Sequence, residues 1–127
     1  MFEPIIETFE IKDRKYAFRK PTVKDTLDTI AIKQQICAEA KIFLTASSMG
    51  DEDYIHNIAM LQVGLVTAPE NWYEEIEDKE NKTKKKVIKV YNDKVTDTEL
   101  QEVYEKVNSL LRNFSKRIGS DSDIQNS

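Results

Sequence analysis

The strongest constraint on this chain lies near its start, where two alternating strands run straight into a helix start. Ile5-Ile6-Glu7-Thr8-Phe9-Glu10-Ile11 is followed by a turn at Lys12-Asp13-Arg14-Lys15, then by Tyr16-Ala17-Phe18-Arg19 and Pro21-Thr22-Val23-Lys24-Asp25. A two- or four-residue loop centred between Asp13 and Arg14 sets Ile11 opposite Tyr16 and Phe9 opposite Phe18. Those four side chains then share one face, with Thr8, Glu10, Ala17 and Arg19 on the other. Glu7 would face Lys20 at the open end. Asp-Arg suits a two-residue turn poorly, because Arg resists positive φ, so the four-residue version is favoured. A hairpin alone is barely stable in water. Its aromatic face must dock on helices, and the rest of the chain supplies three helical patterns.

The first is expected to start at Thr22, whose hydroxyl can accept from the Asp25 amide while that carboxylate points back. Val23, Leu27, Ile30, Cys37 and Phe43 or Leu44 form one stripe, which Ile32, Ile36 and Ala40 widen. No Gly or Pro interrupts Thr22 to Ser48, so a helix of about 20–25 residues is expected. A face this broad implies more than one neighbour. After a break at Ser47-Ser48-Met49-Gly50, Asp51-Glu52-Asp53 puts three acids at the positive end of a second helix. Tyr54, Ile55, Ile58, Ala59, Leu61, Leu65 and Val66 make its apolar set, and it should stop near Thr67, because Ala68 precedes Pro69. The third helix opens with a capping box, Thr96-Asp97-Thr98-Glu99, with Val95 placed to staple Leu100. Leu100, Val103, Tyr104, Val107, Leu110, Leu111 and Phe114 then follow a one-face pattern.

The insertion at residues 70–94 has two readings. In one, a second hairpin pairs Trp72 with Tyr91, Glu74 with Lys89, Ile76 with Val87 and Asp78 with Lys85, its tip running from Lys79 to Lys84; an acidic strand then faces a basic one. In the other, a short helix from Pro69 to Glu77 leads into a flexible basic loop. Residues 116–127 are polar and serine-rich, and are expected to be a disordered tail after one compact domain spanning 1–115. The fold class expected is therefore α+β: an N-terminal β-hairpin packed on three main helices, with a charged hairpin or loop before the last.

Composition narrows the function by exclusion. A formal charge of −4 gives no global attraction to nucleic acid or to an anionic membrane. No run approaches the ~18 apolar residues of a spanning helix. Met1-Phe2-Glu3-Pro4 lacks the basic region and apolar core of a secretion signal, and a single cysteine, Cys37, forms no internal disulfide and fits a reducing cytosol. His56 stands three residues after Asp53, but a metal site needs three or four ligands and the others are missing. Cys37 falls on an apolar stripe and reads as a structural thiol. Lys82-Thr83-Lys84-Lys85-Lys86 is preceded by Glu74, Glu75, Glu77, Asp78 and Glu80, which neutralise it locally, and it lacks the interleaved aromatics of a nucleic-acid platform. No catalytic, metal-binding or cofactor-binding residue is expected, and the chain does not read as an enzyme. Trp72 and Tyr73 differ in kind, because large aromatics on a connection are common at binding hot spots, with core packing as the alternative and the more common role of such residues.

The segments Tyr16-Ala17-Phe18-Arg19-Lys20-Pro21-Thr22, Val23-Lys24-Asp25, and Ala59-Met60-Leu61-Gln62-Val63-Gly64-Leu65-Val66-Thr67-Ala68-Pro69, together with the amphipathic stretch Glu99 to Phe114, resemble the tail assembly chaperones of tailed bacteriophages and prophages. Those proteins read "Y-x-x-R-x-P/L-T" before the first helix and end the next in a "V-V-x-x-P" segment. The likeness spans about residues 5–115, and the insertion at 70–94 is its main departure. It implies a non-catalytic protein of the host cell cytoplasm that coats the apolar tape-measure protein and helps recruit tail-tube subunits, with self-association open. It also implies that Ser115 to Ser127 suits the short form of a family often made in two lengths. The expected mechanism is burial of a partner's amphipathic helix in an apolar groove. Ile32, Ile36, Phe43, Leu65, Val66 and Trp72 are expected as its walls, with Tyr73 beside them. The rival readings are a structural tail or baseplate component, which would assemble alone into rings or tubes, and a small helical adaptor.

Overall fold

A computed structural model describes residues 5–42 and 49–126, with side chains described for 5–42 and 51–113. The order of elements is β1 (Ile6–Ile11), β2 (Arg14–Arg19), α1 (Val23–Ala40), α2 (Met49–Gly64), β3 (Leu65–Thr67), a 3-10 turn (Glu70–Trp72), β4 (Tyr73–Asp78), β5 (Thr83–Ile88) and α3 (Asp97–Asn126). The architecture is α+β as the sequence implies. Phe43 and Leu44, expected on the first helix's stripe, lie outside the described residues, as do Ser47 and Ser48 of the expected break.

The first hairpin keeps its expected faces and changes its register. Phe9 pairs with Tyr16, Ile11 with Arg14 and Glu7 with Phe18, two residues away from the expected alignment. The loop is a two-residue one, Lys12-Asp13, in place of both the favoured four-residue loop and its two-residue alternative at Asp13-Arg14, with φ of 49° and 68°. Both central residues of a type I′ turn need positive φ, and that turn matches the twist of the strands. A shift by two preserves the alternation, so Phe9, Tyr16 and Phe18 still point to the core. The shift also lays Arg14 at the turn, where Nη1 meets Glu99 at 3.3 Å and Nη2 meets Glu102 at 3.2 Å on α3. Lys12 adds a 3.1 Å contact to Glu102. The Lys12 contact foremost, with Arg14 behind it, holds the Glu102 carboxyl below its ordinary range against a smaller effect of burial.

Helix α1 begins as expected. Thr22 accepts from the Asp25 amide at 3.2 Å, and the Asp25 carboxylate accepts from the Thr22 amide at 2.9 Å. It is shorter than expected, 18 residues, because Lys41 turns left-handed with φ 57° and the Ile42 amide closes back on the Cys37 carbonyl at 2.8 Å. Helix α2 ends at Gly64 and not near Thr67. Leu65 and Val66, expected on its apolar face, belong instead to β3, which pairs with β2 through Phe18↔Leu65 and Ala17↔Thr67 across a bulge. The changeover happens where a Cβ cannot fit: one built on Gly64 would lie 2.2 Å from Cε2 and 2.5 Å from Cζ of Phe18.

The insertion is a hairpin, again two residues from the expected register: Tyr73↔Ile88, Glu74↔Val87, Ile76↔Lys85 and Asp78↔Thr83. Its loop begins at Lys79 as expected and closes two residues sooner, before Thr83, because the Asp78 carboxylate accepts from the amides of Glu80 (3.1 Å) and Asn81 (3.4 Å), folding the chain directly after β4. Only the 3-10 turn Glu70–Trp72 remains of the rival helix, with Pro69 before it. At the hairpin base the Gln62 side chain donates to the Ile88 carbonyl at 2.7 Å and accepts from the Val90 amide at 2.8 Å, standing in for a neighbouring strand.

Helix α3 starts with half of its expected box. Thr96 Oγ1 accepts from the Glu99 amide at 3.2 Å, while the Glu99 carboxylate is held by Asn71 Nδ2 at 2.8 Å and by Arg14. The helix runs to Asn126, so the backbone of 116–126, expected as a disordered tail, is helical; no proline follows Thr96, and extending a formed helix is far cheaper than starting one. The core lies between the sheet and the helices. Phe9 and Tyr16 stack at 5.2 Å, and the Trp72 ring meets Tyr16 edge-on at 5.6 Å. Ile55, Ile58, Ala59 and Leu61 of α2 and Leu100, Val103 and Val107 of α3 close around them.

Candidate functional site

The residues expected to wall a groove do not form an open one. Trp72 is 0% exposed, and Ile36 and Leu65 are buried with it. Ile32 and Tyr73 are half-buried and packed against the same core. Val66 alone among the described members of the set is exposed, on β3. Phe43 lies outside the described residues. Trp72 is drawn inward because the turn after Pro69 swings its indole under Tyr16, which is the core-packing alternative and not the hot-spot one.

Exposed apolar residues do gather on α1, along the stripe of Val23, Leu27 and Ile30. Val23, Leu27 and Ile30 are 81%, 61% and 50% exposed. At 100° per residue they share an arc of about 140° with Thr26, Ala31, Gln34, Cys37 and Ala38. That arc holds no charged residue between Val23 and Ala40, in a chain of which 33% is charged. Of these side chains only Cys37 is half-buried; the rest are exposed.

The inward face of α1 is the more polar one. Asp25, Thr29 and Ile36 are its buried residues. Arg19 Nη2 meets the Asp25 carboxylate at 2.5 Å, and the Thr29 hydroxyl donates to the Asp25 carbonyl at 2.8 Å. Burial pushes the Asp25 carboxyl up, but the hydrogen bonds from Thr22 and the Arg19 guanidinium outweigh it and hold the group below its ordinary range. Farther along, Lys33 reaches Glu52 of α2 at 3.5 Å. The helix is thus seated by a capped carboxylate, two ion pairs and a few apolar contacts. Val23, Leu27 and Ile30 are left facing outward, while Ile32 and Ile36 face in.

Beside this seat, Phe18, Pro21, Thr26, His56, Met60 and Gly64 line a cleft of about 100 Å³. Small-molecule sites run from roughly 300 Å³ upward, so the cleft admits no more than a side chain. His56 is exposed at its edge, its pKa lowered by burial first and by the Lys33 charge second, with Asp53 and Glu52 opposing. Among the described residues no group of three or more His, Cys, Asp or Glu side chains could hold a metal ion, and no helix is long and apolar enough to cross a membrane. The Tyr54 hydroxyl donates to Asp97 at the start of α3, which pushes the phenol up to about 12 and ties α2 to α3.

No protein-family model, curated protein or solved structure matches this chain.

Proposed function

We propose that this chain is a non-catalytic tail assembly chaperone of a tailed bacteriophage or prophage, acting in the host cytoplasm. It binds an amphipathic helix of the tape-measure protein on the outward face of α1, and so keeps a long apolar client soluble while tail-tube subunits are recruited. The supporting observation is the uncharged arc carrying Val23, Leu27 and Ile30, because a large exposed apolar face on a small protein marks an interaction surface. The resemblance of residues 16–25 and 59–69 to that family names the client. A helix laid along α1 with apolar residues every three or four positions would cover the stripe by side-by-side helix packing, ridges into grooves. Neither nucleic acid nor a membrane is needed as a partner.

The test is co-expression with the tape-measure protein of the same genome. Wild-type chain should keep that protein soluble and co-purify with it. Leu27→Asp together with Ile30→Asp should abolish both effects and leave the melting temperature nearly unchanged, since exposed substitutions usually move stability by no more than about 0.5 kcal/mol. Client binding unaffected by the double variant would overturn the site. If the wild-type chain leaves the tape-measure protein insoluble and builds rings or tubes alone, the structural-component reading takes its place.

A further inference from the structure

The hairpin β4–β5 stands out from the body with both edges open and opposite charge on each. We infer that it joins copies of this chain head to tail, the acidic β4 edge of one copy pairing with the basic β5 edge of the next.

Hydrogen-bond phase identifies the open groups. The Lys89 amide donates to the Trp72 carbonyl at 2.8 Å, which marks Trp72 and Lys89 as an inward-bonded pair. Antiparallel alternation then turns Glu74, Ile76, Val87 and Lys85 inward, and Glu75, Glu77, Lys84 and Lys86 outward. The bonds from Gln62 to Ile88 and Val90 have the same phase, and they occupy the outward edge only at the base of β5. Glu75, Glu77, Lys84 and Lys86 are all exposed. Tyr73 and Ile88 pack on the core at the base of the arm, and beyond them it is a two-stranded hairpin, a marginal structure that gains from a further strand.

Charge selects the partner edge. Lysines on an edge strand usually guard it against pairing. Here the guard works against two of the three possible pairings. A two-fold contact between β4 edges sets Glu75 against Glu77, and one between β5 edges sets Lys84 against Lys86; both place like charges directly opposite. The third pairing sets Glu75 opposite Lys86 and Glu77 opposite Lys84 of the next copy, with outward backbone groups matched on both strands. It repeats between copies the register already present within the hairpin, Glu75↔Lys86 and Glu77↔Lys84. Inside one copy, Lys86 already reaches Glu70 at 3.4 Å, an exposed pair too weak to hold it back. Such a contact is heterologous, so each copy keeps one edge open for the next. It requires nothing of the client-binding face.

The test uses two variants in a Cys37→Ala background, one carrying Glu75→Cys and the other Lys86→Cys. Opposed residues of adjoining strands lie about 5.5 Å apart at Cα, within disulfide range. Mixed under mild oxidation, the two should give the mixed disulfide about tenfold over either homotypic dimer, against the twofold that chance gives. Glu77→Pro, added to both, removes an outward amide that makes no bond inside the hairpin, and should return the ratio to the chance value. A mixed dimer at the chance ratio without the proline, or one that survives the proline, would overturn the inference.

Discussion

Substituting Gly64 by Ala tests how the chain passes from α2 into β3. The new methyl carbon would sit 2.2, 2.5 and 3.0 Å from three carbons of the Phe18 ring, all well inside van der Waals contact. Phe18 is fully buried, so its ring has one direction of relief, toward the cleft of about 100 Å³ that both residues line. Forcing an extra methylene into a packed site costs about 1–3 kcal/mol. Replacing a helical glycine by alanine returns less than the usual ~1 kcal/mol, because Gly64 is the last residue of its helix. A net loss of about 2 kcal/mol is expected, or roughly 6–10 °C in Tm for a domain of this size. Thermal and urea unfolding monitored by circular dichroism would measure it. Phe18→Leu supplies a decisive control. It removes the atoms that clash, so the double variant should lose about 1 kcal/mol or more less than the sum of the two single losses. A Gly64→Ala protein as stable as wild type, or losses that simply add, would refute the close approach.

Two further outcomes follow from the core and from the α1 seat. Trp72→Ala should cost about 3–5 kcal/mol of stability in urea titration, as a fully buried aromatic does, with any loss of binding secondary to unfolding; a stable Trp72→Ala protein that only binds its client less well would return Trp72 to the surface. Asp25→Asn should cost about 1–3 kcal/mol at neutral pH, discounted because Arg19 is 35% exposed. The folded carboxyl titrates below its unfolded value, so its contribution is complete above the ordinary carboxylate range and is lost only as pH falls below that range through the lower folded value; the gap between wild type and variant should close there, and a gap unchanged at low pH would contradict the assignment.

The legible parts of this sequence are those decided locally. The Thr22–Asp25 box, the start of α3 at Thr96 and the alternation of Phe9, Tyr16 and Phe18 need only neighbouring residues, and each stands where the pattern puts it. Both hairpin registers slip by two, and for one reason. Register is set at the loop, where left-handed Lys12, Asp13 and Lys82 and the turn-forming carboxylate of Asp78 decide which residues bend, and alternation is blind to a shift of two. Strand β3 has three residues, too few for alternation to register, and becomes a strand only because β2 lies beside it. On α1, the sequence shows one broad apolar face, Val23, Leu27 and Ile30 widened by Ile32 and Ile36, and periodicity does not say which part of it is seated. Arg19 supplies that answer. Its strand delivers a guanidinium to Asp25, and once that carboxylate turns inward, Val23, Leu27 and Ile30 must turn out.

The same geometry makes the two proposed contacts separable. The client face is confined to residues 23–38 of α1, a helix seated on α2, whereas the edge groups belong to Glu75, Glu77, Lys84 and Lys86 on an arm whose base is held by Gln62 and by the turn at Pro69. No residue serves both, and substitutions with no shared partner act nearly independently. Leu27→Asp with Ile30→Asp should therefore leave the Glu75–Lys86 cross-link intact, and Glu77→Pro should leave each copy's grip on the client intact. A long client changes the relation between them. Once several copies lie along one chain, the effective concentration of each arm for its neighbour rises, and an edge contact of two residue pairs, weak in free solution, becomes able to hold. The cross-link yield should then rise when tape-measure protein is added, and the rise should vanish with the α1 double variant while the yield without client stays where it was.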